Sequence, residues 1–193
     1  MDTLPLATAL ISTGTVALAE IGDKTQLLAL LLAARFRKPW PIVAGILVAT
    51  LLNHTLAAWV GASGAAWLQP DTLRWVVAAS FVAVAVWTLK PDKLDAGEED
   101  LPARGAFVAT TIAFFIAEIG DKTQVATVLL AARYDPLWEV IAGTTVGMLL
   151  ANVPVVVLGS RFADRLPLTA ARYVAAAVFL GLGIWVALRG LGG

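Results

Sequence analysis

Ala19-Glu20-Ile21-Gly22-Asp23-Lys24-Thr25-Gln26 recurs, residue for residue, as Ala117-Glu118-Ile119-Gly120-Asp121-Lys122-Thr123-Gln124. The register of 98 residues then holds without a gap far downstream. Ala33-Ala34-Arg35 meets Ala131-Ala132-Arg133, Ala44-Gly45 meets Ala142-Gly143, and Leu51-Leu52 meets Leu149-Leu150. Gly61 meets Gly159, Arg74 meets Arg172, Phe81 meets Phe179, and Trp87 meets Trp185. An eight-residue identity with matches in register across most of each half is a duplication.

Both copies lie inside long apolar blocks. A membrane-spanning helix needs roughly 20 mostly apolar residues, and six segments qualify: Leu6–Ala34, Trp40–Gly61, Leu73–Leu89, Ala106–Ala132, Trp138–Gly159 and Ala171–Leu188. The stretch Lys90–Arg104 is polar and turn-rich, carrying Pro91, Gly97, Glu98, Glu99, Asp100 and Pro102. The expected fold class is therefore an all-α polytopic membrane protein. Residues 1–90 form one three-helix repeat, 91–104 a linker and 105–193 the second repeat. Three spans per repeat is an odd number, so the second repeat sits inverted. Inverted-topology repeats are a signature of secondary transporters, whose site lies at the repeat interface near the midplane.

Composition agrees: 59% of the 193 residues are hydrophobic and 15% charged, against about 25% charged in soluble domains. A net charge of zero gives no electrostatic case for nucleic acid. The absence of cysteine excludes disulfides and thiolate chemistry, and a lone histidine, His54, excludes a multi-histidine zinc site within one chain. Met1-Asp2-Thr3 lacks the basic stretch of a signal peptide, so the first apolar block reads as a retained helix. Outside the motifs, Arg35, Arg37, Lys38, Lys90, Lys93, Arg104, Arg161, Arg165 and Arg172 fall on one side, and Arg74, Arg133 and Arg189 on the other. The positive-inside bias puts the first group, and the linker, in the cytoplasm and both termini outside. The expected location is the inner (plasma) membrane.

Glu20 and Glu118 lie deep in their spans. An ionisable residue there costs roughly 2.5–3.5 kcal/mol on insertion scales, so such groups call for a function. On a continuous helix, Glu20, Asp23 and Lys24 share a face, as do Glu118, Asp121 and Lys122. Gly22 and Gly120 permit either close helix approach or local unwinding. Thr25, Gln26, Thr123 and Gln124 add neutral oxygens. If the motifs meet, four carboxylates face two ammonium groups, a net charge of −2 that matches one divalent cation. Oxygen-only ligands suit Ca²⁺, Mn²⁺ and Mg²⁺. Carboxylates in a low-dielectric site hold protons more readily than in water, which would let them exchange metal for protons.

At these residues the chain resembles the Gdt1-type family (uncharacterised protein family 0016), whose hallmark is a duplicated Glu-hydrophobic-Gly-Asp-Lys/Arg-Thr/Ser motif. Glu20-Ile21-Gly22-Asp23-Lys24-Thr25 and Glu118-Ile119-Gly120-Asp121-Lys122-Thr123 match at every position, and the resemblance covers essentially the whole chain, which looks like a bacterial member. It implies a cation transporter that exchanges Mn²⁺ or Ca²⁺ for protons, and bacterial relatives are associated with manganese export. The implied metal ligands are Glu20, Asp23, Glu118 and Asp121, with Lys24 and Lys122 as counter-ions. The metal is cargo, no cofactor is implied, and the partners are the cation, protons and the bilayer.

Simpler readings stand beside these. The motif could be a structural salt bridge from Glu20 or Asp23 to Lys24, although the carboxylates outnumber the lysines. His54 reads as a hydrogen-bonding helix residue in preference to a metal ligand, since its repeat counterpart is Asn152 and a symmetric metal role is thereby disfavoured. Gly143-x-x-x-Gly147 and Gly45-x-x-x-Ala49 read as small-residue helix contacts, within one chain or between two copies of a homodimer. Trp40, Trp67, Trp75 and Trp138 suit an interfacial belt. A six-span exporter of amino acids or other small solutes, and a passive divalent cation channel, are the rival functions. No His-Glu-x-x-His or Gly-x-Ser-x-Gly occurs to support an enzyme.

Overall fold

The computed structural model describes residues 6–90, 105–159 and 168–190, and all its regular structure is helical. In chain order the helices are α1 (Ala7–Glu20), α2 (Lys24–Phe36), α3 (Pro39–Trp67), α4 (Pro70–Thr88), α5 (Ala106–Glu118), α6 (Lys122–Arg133), α7 (Leu137–Leu158) and α8 (Leu168–Arg189). The linker 91–104 and Arg161 and Arg165 lie outside the described residues. Proline in the first turn starts α3 and α4, where its missing N–H costs nothing. Gly159, at φ 68°, ends α7.

Among the described residues, four helices are long and apolar enough to cross a membrane: Pro39–Trp67, Pro70–Thr88, Leu137–Leu158 and Thr169–Arg189; α5 is a shorter apolar helix. At 1.5 Å per residue, the 29 residues of α3 reach about 43 Å, beyond a hydrocarbon core of about 30 Å. The segments Leu6–Ala34 and Ala106–Ala132, expected as single spans, are each broken in two. The break falls at the motif. Ile21 and Ile119 turn extended, Gly22 and Gly120 adopt φ of 82° and 75°, and Asp23 and Asp121 are extended N-caps of the next helix. The left-handed conformation is cheap only for glycine, so the duplicated Gly sets the same break twice.

The halves interlock. α1 packs along α7 and α5 along α3, while α4 packs on α8. The first two pairs run parallel. Ala9 N–H donates to Glu139 Oε2 and Thr13 Oγ1 to the Gly143 carbonyl, while Gln26 Nε2 reaches the Ala151 carbonyl. Likewise Gly45 lies against Phe107 and Thr110, and Asn53 Nδ2 donates to the Phe115 carbonyl. The α4–α8 pair runs antiparallel: Arg74 donates to the Ala187 carbonyl, and Phe81 stacks on its repeat counterpart Phe179 with centroids 6.4 Å apart. The small-residue stripes are thus used within the chain, Gly143 and Gly147 against α1 and Gly45 against α5.

One apolar cluster centres on Phe81, Phe179, Val77 and Leu130, the other on Leu28, Leu32, Ile46, Phe114 and Met148. The outside is apolar too. Trp40, Leu56, Trp59, Trp67, Trp75, Val86, Leu150 and Leu188 are all exposed, far more apolar surface than a water-facing protein shows and the surface a lipid-facing one needs.

Candidate metal site

Each helix break leaves the first N–H groups of the following helix without intrahelical partners. Side chains of the motif serve the backbone and hydroxyl groups around each break. The Gly22 N–H donates to Gln26 Oε1 at 2.9 Å, and the Gly120 N–H to Gln124 Oε1 at 2.7 Å. Asp23 accepts from the Thr25 N–H at 3.4 Å, and Asp121 from Thr123 Oγ1 at 3.1 Å. The four neutral residues thus serve the breaks and the carboxylates, with Gln26 also tying the first break to α7.

Glu20, Asp23 and Glu118 are fully buried and Asp121 is 4% exposed. Ligand oxygens of Glu20, Asp23 and Asp121 lie within 4.8 Å of one another, which joins two acids of the first motif to one of the second. The positive ends of α2 and α6 begin beside these acids, a favourable place for negative charge. Glu20 is further held by Thr25 Oγ1, donating at 2.5 Å, and Asn152 Nδ2, at 3.3 Å. Glu118 stands outside the three-carboxylate group but near enough to feel the charges of Glu20, Asp121 and Asp23. Its Oε2 is 3.9 Å from His54 Nε2.

Two sequence-based expectations change. Glu20, Asp23 and Lys24 do not share a helical face, because Glu20 ends α1 and Lys24 starts α2; the acids converge through the break. Nor are the ion pairs confined within one motif. Lys122 Nζ sits 2.6 Å from Asp23 Oδ1, across the two halves, and is buried, while Lys24 is half-buried. Asn152 and His54 were not expected at the site. Their signal was available: polar side chains in apolar segments at equivalent positions of both repeats.

An all-helical chain with bilayer-length apolar helices, whose buried carboxylates gather at two broken helices, has the architecture of a secondary transporter for cations. The family description "Divalent cation/proton antiporter GDT1" matches residues 8–96 and 106–193. The chain is 63% identical over 171 residues to a Vibrio cholerae protein named "Putative manganese exporter", covering 88% of this chain and 85% of the relative. A GDT1-like protein of Synechocystis is 27% identical, over 76% of this chain and 80% of its own length. GDT1-like protein 3 of Arabidopsis thaliana is 25% identical, over 88% of this chain and 66% of its own. No solved structure matches. The chain belongs to the GDT1 family of divalent cation/proton antiporters, which are membrane transporters and not enzymes.

Proposed function

We propose that this chain exports Mn²⁺ from the cytoplasm across the inner membrane in exchange for protons, through one site formed by Glu20, Asp23, Glu118 and Asp121. The observation that carries this reading is the meeting of Glu20, Asp23 and Asp121, all buried, across the two halves. With Glu118, Lys24 and Lys122, the charges sum to −2, as a divalent cation requires. The Lys122 ammonium on Asp23 acts as an internal counter-ion when the cation leaves. Manganese is favoured over calcium by the name of the Vibrio cholerae relative.

Six spans in two inverted halves, 1–90 and 105–193 with linker 91–104, fit the packing. Inversion makes α1 run with α7 and α5 run with α3, the parallel pairs described above. It also brings Arg74, at the start of α4, to the end of α8, where Arg189 lies. Arg133 and, near the end of α3, Ala62 and Ala65 line one shared cavity of about 350 Å³. These contacts support Arg74, Arg133 and Arg189 on one membrane side, the outside, with both termini. Alternating access is then rocking of one half on the other about the carboxylate site.

Inside-out vesicles acidified internally are expected to accumulate Mn²⁺ against its gradient and to alkalinise as they do so. Collapsing the pH gradient should stop uphill accumulation. Downhill Mn²⁺ flux with no proton movement would identify a channel, and transport of lysine without Mn²⁺ an amino-acid exporter; either overturns the proposal.

A further inference from the structure

The two halves support their glutamates differently. Asn152 on α7 donates to Glu20 Oε2 and also to the Met148 carbonyl at 3.1 Å, so its amide nitrogen is used within the protein, while its Oδ1 has no hydrogen-bond partner among the described residues. At the equivalent place on α3 stands His54, fully buried. Among the described residues neither ring nitrogen of His54 has a hydrogen-bond partner, and neither carboxylate oxygen of Glu118 has one. A polar group buried without a partner is unfavourable, and here two such groups face each other.

Their separation is informative. At 3.9 Å the nitrogen and oxygen are too far apart for a hydrogen bond. Two ligands at roughly 2.1 Å from a common metal ion lie about 3 to 4.2 Å apart, depending on the angle between them. The pair therefore has the spacing of two ligands of one ion. Glu118 also lies within electrostatic range of Glu20, Asp121 and Asp23, outside the 4.8 Å group those three form.

We propose that His54 is a nitrogen ligand of the transported ion, placed beside Glu118, and that it biases the site toward Mn²⁺ and other transition-metal ions over Ca²⁺ and Mg²⁺. This rests on the carboxylate-site reading above and adds a donor to it. Ca²⁺ and Mg²⁺ take oxygen ligands, whereas imidazole raises affinity along the first transition series. An oxygen-only site separates Mn²⁺ from Ca²⁺ poorly; one nitrogen gives it a means to do so. The duplication left room for this, because Asn152 keeps the orienting role in one half while His54 departs from it in the other.

His54 is the sole histidine of the chain, so a histidine signal has a single source if purification avoids a histidine tag. Mn²⁺ alone is added to the full chain in lipid nanodiscs, and pulsed electron paramagnetic resonance reads nuclei coupled to the ion. The expected result is a ¹⁴N coupling that converts to ¹⁵N on histidine labelling. Mn²⁺ bound with no histidine nitrogen coupled overturns the proposal while leaving the carboxylate site intact. Binding unaffected by Glu20→Gln combined with Asp23→Asn overturns the carboxylate reading itself. In transport, His54→Asn, which copies the other half, is expected to lower the preference for Mn²⁺ over Ca²⁺ at least about tenfold, the low end of what losing an orienting partner costs a metal site. An unchanged preference in active His54→Asn counts against the proposal, and the wild-type spectrum decides the matter should that variant fail to fold.

Discussion

Asp23→Asn and Glu118→Gln are each expected to lower Mn²⁺ transport by more than roughly 100-fold at equal membrane abundance, beyond the 10–100-fold typical of losing an outer-shell partner. For Asp23 the result needs a control, because the substitution also strips a carboxylate from buried Lys122. Breaking a buried pair from one side costs about 3–5 kcal/mol. Here the cost is expected to be smaller, since the charge of Lys122 also acts on Glu20 and Asp121. Asp23→Asn combined with Lys122→Met removes both charges and is expected to return the protein to wild-type abundance. If the pair merely fixed helix packing, that double variant would transport. If Asp23 holds the cation, it stays inactive. Comparing single and double variants in vesicles, with abundance measured by immunoblot, separates the two roles, and a fully active double variant would remove Asp23 from the site.

Much of this was legible in the chain because duplication is itself a structural statement. The motif identified the buried acids, and the apolar blocks located α4, α7 and α8 to within about three residues, while α3 runs on past the expected Gly61 to Trp67. Gly22 and Gly120 left two options open, close packing or unwinding, and only their positive φ decides for unwinding. The ion pair was hidden for a different reason. Proximity in sequence suggests Lys24 for Asp23, but the helix break changes the geometry on which i, i+4 reasoning depends, and nothing local reveals that a short pair forms with Lys122 of the other half. His54 was visible as a polar residue in an apolar span. That it faces Glu118 follows from the parallel run of α3 on α5, which no local pattern encodes.

That run depends on glycine, as does its partner on α7. A Cβ on Gly143 would meet the Ala9 carbonyl oxygen at 2.4 Å, Ser12 Cβ at 2.8 Å and Ala9 Cα at 3.0 Å. Two of these are backbone atoms, so no side-chain rotation relieves the clash and α1 must retreat. On Gly45 it would meet Thr110 Cβ at 2.7 Å and the Phe107 carbonyl oxygen at 2.9 Å, the same obstruction in the other half. Overpacking of this kind typically costs about 1–3 kcal/mol, and a branched side chain sits at the upper end. Gly143→Val is therefore expected to lower the thermal unfolding midpoint in detergent substantially, and Gly143→Ala to lower it less. Gly14→Ala and Gly64→Ala, where an added Cβ meets nothing within 4 Å, are expected to leave it unchanged. The functional effect of Gly143→Ala should exceed the thermal one. α1 carries Glu20 at its end, where Asn152 of α7 holds the carboxylate, so a displaced α1 pulls one carboxylate away from Asp23 and Asp121. Transport per folded molecule should then fall even where abundance does not. Equal transport in Gly143→Ala and Gly64→Ala would mean that the α1–α7 contact does not set the ligand geometry.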